Sequence, residues 1–242
     1  MELTIGTFNI QHGINYPEYL ATGNSVVDLE LFSEGIRQFA PDICGLNEIY
    51  GAHWEMGNQA RQLGEYTGLH HIFARALEIH NGDYGNALLS RVPAQSYHIT
   101  PIRIAKEDRK YRGYYEDRVL LTADFEIEGQ PLTVMVCHFG LNPDEVEKAV
   151  ETLWQEQKKI RHPLVFIGDL NICPGTESYH RITGFLQDAA GGCSDPLNTY
   201  PSNAPECKID HIFVNEFCRV KQIYVPDVRC SDHLPLVARI AF

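Results

Sequence analysis

The chain has no long apolar run. Nothing in its 242 residues approaches the ~20 consecutive apolar side chains that cross a bilayer as a helix, so it offers no membrane-span candidate. Its opening residues, MELTIGTFNI, have neither a basic n-region nor an apolar h-region; they read as the first strand of a domain rather than a secretory leader. Positive charge is scarce, with 20 Lys and Arg against 32 Asp and Glu, a formal net charge of −12. A protein that grips long nucleic acid needs a basic face to neutralise phosphates. The balance therefore disfavours duplex nucleic acid as a partner and suits divalent cations and small diffusible substrates. The seven cysteines are odd in number and none falls in a C-x-x-C pair. With no export signal, reduced thiols in a cytoplasm are expected. A zinc site at Cys173 or Cys230 has no ligand spacing behind it. Linkers, low-complexity segments and internal repeats are missing too, so residues 1–242 are expected to form a single domain.

What is present is an alternation of short apolar runs and amphipathic segments. LTIGTFNI, DICGLNEI, HHIFARAL, NALLS, RVLLTADFEI, PLTVMVCHF, LVFIGD, KIDHIFV and LPLVARIAF read as strands. Leu29, Phe32, Ile36 and Phe39 fall at helical spacing, as do Met56, Ala60 and Leu63 within 53–67. The clearest helix follows Asn142: Pro143 suits its first position and Glu145 stands where a capping box needs it. Hairpins mixed with helical crossovers point to α/β or α+β layers rather than an all-parallel sheet.

Several strands end in polar residues. LVFIGDLN sets Asp169 and Asn171 behind a buried run; IGTFNIQHG does the same with Asn9, GLNE with Asn47 and Glu48, and VCHF with His138. Asp210 opens another strand, and Asp232 and His233 precede the last. Polar groups of this kind are costly in a dry core unless something compensates their desolvation. If these strand ends converge, carboxylate and carboxamide oxygens suit a hard cation such as Mg²⁺ or Mn²⁺, and the imidazoles suit acid–base work.

The ordered set FNI, LNE, GNALLS, CHFGL, GDLN, KIDHIF and SDHLPL resembles the endonuclease/exonuclease/phosphatase superfamily, from Asn9 to Pro235. The resemblance implies a deoxyribonuclease-like fold: a four-layer α/β/β/α sandwich of two packed mixed β-sheets flanked by helices. It implies metal-dependent phosphoester hydrolysis with Mg²⁺ or Mn²⁺. It makes Glu48, Asn9 and Asp232 the metal-site residues, with Asn47 standing where Gln is usual. Asp169 then orients or deprotonates the attacking water, and Asn171 donates to phosphate oxygens. His233 stabilises the charged transition state and Asp210 pairs with it. His138 matches deoxyribonuclease-like and phosphatase-like members, where AP endonucleases carry Tyr. Asn86 matches an asparagine close to the phosphate.

The segment KEDRKYRGYYED, 106–117, is the most basic and aromatic stretch; it reads either as a lid, with Arg109, Lys110 or Arg112 reaching a phosphate and Tyr115 or Tyr114 on the leaving group, or as a solvated loop of mixed charge. Arg118 is expected to pair with a site carboxylate. His12 and His211 are expected behind the reacting groups, and His53 and His80 on the surface or in packing. The favoured substrate is a small or flexible phosphorylated molecule. The alternatives are a nuclease or lipid-headgroup phosphodiesterase of the same family, and a catalytically silent binding protein on the same fold.

Overall fold

A computed structural model describes all residues from Met1 to Phe242. The strands are β1 (Glu2–Asn9), β2 (Ile43–His53), β3 (His70–Ile79), β4 (Gly82–Ser90), β5 (Ser96–Ile102), β6 (Arg118–Ile127), β7 (Gln130–Cys137), β8 (Leu164–Asp169), β9 (Gln187–Asp188), β10 (Asp210–Val214), β11 (Arg219–Tyr224) and β12 (Leu236–Ala241). The helices are α1 (Tyr16–Thr22), α2 (Leu29–Phe39), α3 (Gln59–Thr67), α4 (Pro143–Gln157) and α5 (Glu177–Thr183). One sheet runs β11-β12-β1-β2-β4-β3 and the other β5-β6-β7-β8-β10-β9. Each has one parallel pair, β1 with β2 and β7 with β8; all other neighbours are antiparallel.

The period of two along each strand builds the layers. In β1, Leu3 and Ile5 face the second sheet while Phe8 faces outward under α2. In β8, Val165 and Ile167 face the first sheet while Leu164 and Phe166 pack under α4 and α5. The inner rows of both sheets form the central core, with Ile43, Leu88, Val136 and Ile212 among them. Two further cores lie outside, one beneath α2 and α3 and one beneath α4 and α5. The result is the expected four-layer α/β/β/α sandwich.

Local chemistry sets the helix ends. The Asp28 carboxylate accepts the Leu31 N–H at 3.0 Å and starts α2. The Glu145 carboxylate reaches back to the Asn142 N–H at 3.1 Å and starts α4. The helix expected over 53–67 is a correction. β2 continues to His53, and α3 begins only at Gln59, where the Asn58 side chain accepts the Arg61 N–H at 2.9 Å. No helix is long and apolar enough to cross a membrane, and all seven cysteines are free thiols.

Candidate active site

At one end of the sandwich the inward row of each central strand stops being apolar. After Ile5 on β1 come Thr7 and Asn9; after Ile43 on β2 come Gly45 and Asn47; after Ile167 on β8 comes Asp169. Beyond Val136, at the end of β7, comes His138, and before Ile212 on β10 comes Asp210. β1 and β2 run parallel, β7 and β8 run parallel, and β10 opposes β8 with Asp210 beside Asp169. The strand ends therefore meet at one edge, buried between the sheets. Gly168 makes the approach feasible. Its φ is +150°, and a Cβ there would lie 1.8 Å from the Cys137 carbonyl oxygen.

Glu48 departs from the alternation. It sits at a register shift between β2 and β4 with φ +56°, a conformation costly for a side-chain-bearing residue. The bulge lets Asn47 stay between the sheets while Glu48 turns into the cavity. Asn171 holds φ +51° after Asp169. Such strain persists only where the surroundings over-determine it, and the surrounding hydrogen bonds do so here.

The Oδ2 atom of Asp169 is the hub. Asn9 Nδ2 donates to it at 3.0 Å and to Glu48 Oε1 at 3.1 Å. His138 Nε2 lies 3.5 Å from it and His233 Nε2 3.7 Å. Its partner oxygen, Oδ1, accepts the Asn171 N–H at 3.0 Å, and the Asp169 N–H donates to Asn47 Oδ1 at 2.8 Å. Burial pushes the Asp169 carboxyl up to about 7; His233 opposes the rise and Asp210 adds to it.

The two imidazoles differ in charge. Burial alone would lower His233, but Asp210, Asp169 and Asp232 outweigh it and carry it up to about 10. Its Nδ1–H donates to Asp210 Oδ2 at 2.8 Å, an oxygen that also accepts the Thr199 hydroxyl at 2.6 Å. Burial first, then Arg118, holds His138 well below its ordinary value. Arg118 donates to His138 Nδ1 at 2.9 Å, so the neutral ring carries its proton on Nε2, facing the cavity.

A cavity of about 820 Å³ opens above this cluster, lined by Glu48, His138, Asp169, Asn171, Asp232 and His233 among others. It thus gathers most of the expected site residues; Asn9 and Asp210 hold them from beneath. Three expected substrate contacts lie elsewhere. Asn86 is buried between the sheets, accepting from Asn47 at 2.9 Å and donating to the Val119 carbonyl at 3.1 Å, so it braces Asn47. Tyr115 turns its hydroxyl to Asp144 at 2.8 Å, with the Arg109 guanidinium 4.6 Å over its ring. Arg112 is exposed and does not line the cavity. The expected lid is tied to the start of α4, where Asp144 also accepts the Lys110 N–H at 3.0 Å.

Other cavity residues carried no strong signal in the sequence. Glu116, Glu145, His80 and Tyr84 line it, so His80, expected on the surface or in packing, belongs to the cavity lining; Tyr114, the alternative expected on the leaving group, lines it too. Tyr84 extends the NALLS run towards the turn, and His80 sits in the turn itself; only the fold brings either to the site. Arg118 pairs with Glu116 at 2.6 Å, the carboxylate partner it was expected to have. His12 lies 3.9 Å from Glu48 Oε2. His211 points to the opposite face of β10. Its Nε2–H donates to the Ile172 carbonyl at 2.9 Å, and its Nδ1 accepts from Lys208 at 2.7 Å.

The cavity floor fits a divalent cation. Glu48 and Asp232 offer carboxylate oxygens, and Asn9 stands beside Glu48. The one guanidinium in the lining, Arg118, is engaged by Glu116 and His138. Burial raises the Asp232 carboxyl; His233 opposes the rise and Glu48 adds to it. Asp210 Oδ1 is buried without a partner. Hard oxygen donors with excess negative charge are the chemistry that Mg²⁺ and Mn²⁺ select.

Comparison with known proteins agrees with this fold. An uncharacterized protein of Escherichia coli (strain K12), YbhP, is 24% identical over 225 residues, 86% of each chain. The structure of an endonuclease/exonuclease/phosphatase family protein from Bacteroides thetaiotaomicron superposes with a TM-score of 0.81 at 19% identity, covering 100% of this chain and 98% of that one. The mannosyl-6-phosphatase Bt3783 of the same organism superposes with a TM-score of 0.81 at 18% identity, covering 99% and 100%. The family model for the endonuclease/exonuclease/phosphatase family matches residues 6–233. With a match over nearly the whole chain, on the fold and the constellation just described, this protein belongs to the endonuclease/exonuclease/phosphatase family.

Proposed function

We propose that this protein is a divalent-metal-dependent phosphoesterase that hydrolyses a small or flexible phosphorylated substrate with an activated water. The carrying observation is the hub at Asp169: one buried carboxylate flanked by a charged and a neutral imidazole. Asp169 takes the proton of the attacking water. A base poised near neutrality, as burial makes this one, combines availability with driving force. Asn9 and the Asn171 N–H hold its two oxygens in place.

The N–H groups that face the cavity stabilise the charge that develops on phosphorus-bound oxygens. His233 supplies a full positive charge kept in register by Asp210, and His138 supplies a neutral Nε2–H oriented by Arg118. The Asn171 amide nitrogen donates to the Phe139 carbonyl at 3.1 Å and stands beside them. Preorganised donors of this kind need no reorientation during reaction. Glu48, Asp232 and Asn9 would hold Mg²⁺ or Mn²⁺, which polarises the phosphoryl oxygens and neutralises charge. Similarity to a mannosyl-6-phosphatase supports a small phosphate ester as substrate. Seven free thiols fit a reducing compartment, the cytoplasm.

The test is hydrolysis of p-nitrophenyl phosphate and bis-p-nitrophenyl phosphate with Mg²⁺, Mn²⁺ or EDTA. Cleavage should require the metal and fall ~10²–10⁴-fold in Asp169→Asn while the thermal transition is kept. Cleavage unchanged by EDTA, or retained in the variant, would overturn the proposal.

A further inference from the structure

Resting on the metal-dependent hydrolase reading, we infer that His12 is a nitrogen ligand of the metal site beside Glu48, and that it makes the site favour a transition-metal ion such as Mn²⁺ over Mg²⁺. Expected behind the reacting groups, His12 instead lines the cavity together with Glu48. The backbone is strained on both strands that deliver the pair. Asn9 on β1 stands opposite Asn47 on β2, and the Ile10 N–H donates to the Asn47 carbonyl at 3.1 Å. Just past that rung Gln11 and His12 hold φ +44° and +57°, and Glu48 holds +56°. Left-handed backbone is costly for residues that carry a Cβ, and it gathers at functional sites. The same turn also touches Asn9, whose Oδ1 accepts the Gln11 N–H at 3.1 Å.

The imidazole is fixed before any cation arrives. Gln59 is fully buried; its amide nitrogen donates to the His12 carbonyl at 2.6 Å, and its amide oxygen accepts the Tyr50 N–H at 3.0 Å. One side chain thus ties the turn to β2, two residues beyond Glu48. The ring itself packs against Tyr50 and Tyr84, with centroids 5.4 and 5.2 Å away. A donor already held in place loses little freedom on binding.

The spacing of the pair points to a shared cation. Glu48 Oε1 accepts the Asn9 amide at 3.1 Å, whereas Oε2 faces His12 Nε2 at 3.9 Å. That separation is too long for a hydrogen bond. It suits two donors on one ion: with bonds of about 2.1 Å, two ligand atoms stand at most ~4.2 Å apart. Mg²⁺ selects oxygen, and an imidazole nitrogen shifts the balance towards first-row transition ions.

The experiment is calorimetric titration of the metal-free protein with Mg²⁺, Mn²⁺ and Co²⁺, for wild type, His12→Phe and Glu48→Gln. Wild type should bind Mn²⁺ and Co²⁺ at least ~10-fold tighter than Mg²⁺. His12→Phe keeps a ring against the tyrosines; it should weaken Mn²⁺ and Co²⁺ by ~10–100-fold and Mg²⁺ by less than about threefold. Equal weakening of all three ions, or none, would overturn this inference, while weakening of all three in Glu48→Gln would leave the metal site standing. A second readout is pulsed EPR of the Mn²⁺-loaded protein labelled with ¹⁵N-histidine. A directly bound nitrogen is expected in wild type and should vanish in His12→Phe. No nitrogen coupling in wild type would overturn the inference even if the variant does not fold, and a coupling that survives in the variant would overturn it by assigning the nitrogen to another ring. Failure of wild type to bind any of the three ions would overturn both readings.

Discussion

His233 and His138 approach the same oxygen of Asp169, at 3.7 and 3.5 Å, one charged and one neutral. Both are buried, and burial pushes both towards neutrality. The partner decides between them. An anionic Asp210 on Nδ1 keeps His233 charged, while a cationic Arg118 on Nδ1 keeps His138 neutral with its proton on Nε2. One residue type thus supplies a charge and an oriented dipole around one base. The lesson is that a catalytic imidazole is defined by the atom behind it.

The largest effect should come from exchanging the partner of His233. In Asp210→Asn the imidazole loses the charge that outweighs its burial, so it becomes neutral at ordinary pH. We expect the rate at pH 8 to fall ~10²–10³-fold, with the alkaline limb of the pH profile moving from near 10 to neutral or below. Stability should follow the same sign. A histidine raised in the folded state contributes stability fully present below its unfolded value of 6.5 and lost as pH rises through about 10. Wild-type melting temperature should therefore decline across that window and Asp210→Asn should not share this decline. An alkaline limb that stays put would break the comparison.

Exchanging the partner of His138 should cost less. Arg118→Met removes the donor that sets the tautomer, but burial still keeps the ring neutral. About a tenfold loss in kcat is expected, with KM nearly unchanged. A pure KM effect would assign Arg118 to substrate binding instead.

The smallest effect on rate should come from the other face of β10. There Lys208 is buried, 3.5 Å from Asp188 and 2.7 Å from His211, and Asp188 also accepts the Tyr179 hydroxyl at 2.8 Å. This network holds the Ile172 carbonyl without reaching the cavity. Lys208→Met leaves a buried carboxylate without its cation and should cost about 3 kcal/mol of stability. The rate per folded molecule should stay within about threefold at 25 °C, measured beside a urea titration. A large rate loss at full stability would make Lys208 part of the catalytic apparatus.

The sequence made the floor of this site legible because a polar residue at the end or start of an apolar strand is costly and hence conspicuous. Asn9, Asp169 and Asp210 all stand out on that ground. The run 118–127 matches β6 end to end because its residues from Arg118 to Ala123 are all buried and Phe125 follows them into the core. β5 and β11 were not legible: both are edge strands with no alternation to see, β5 mostly exposed and β11 exposed or half-buried throughout, and β5 contains Pro101. α1 buries no residue, so it leaves no apolar stripe. The helix expected from His53 failed because His53 and Gly57 close a turn, exchanging backbone hydrogen bonds at 3.0 and 2.8 Å, before Asn58 caps α3. Tyr115 and Tyr114 are chemically alike, and only the pull of Asp144 sends the first away and leaves the second at the cavity.

The most direct test of the opposed imidazoles is a pH titration of ¹⁵N-histidine resonances in the metal-free protein, assigned with His233→Gln and His138→Gln. The account predicts that His233 stays doubly protonated until about pH 10, while His138 remains a neutral Nε2–H tautomer well below pH 6.5. Two rings titrating together near 6.5 would contradict it.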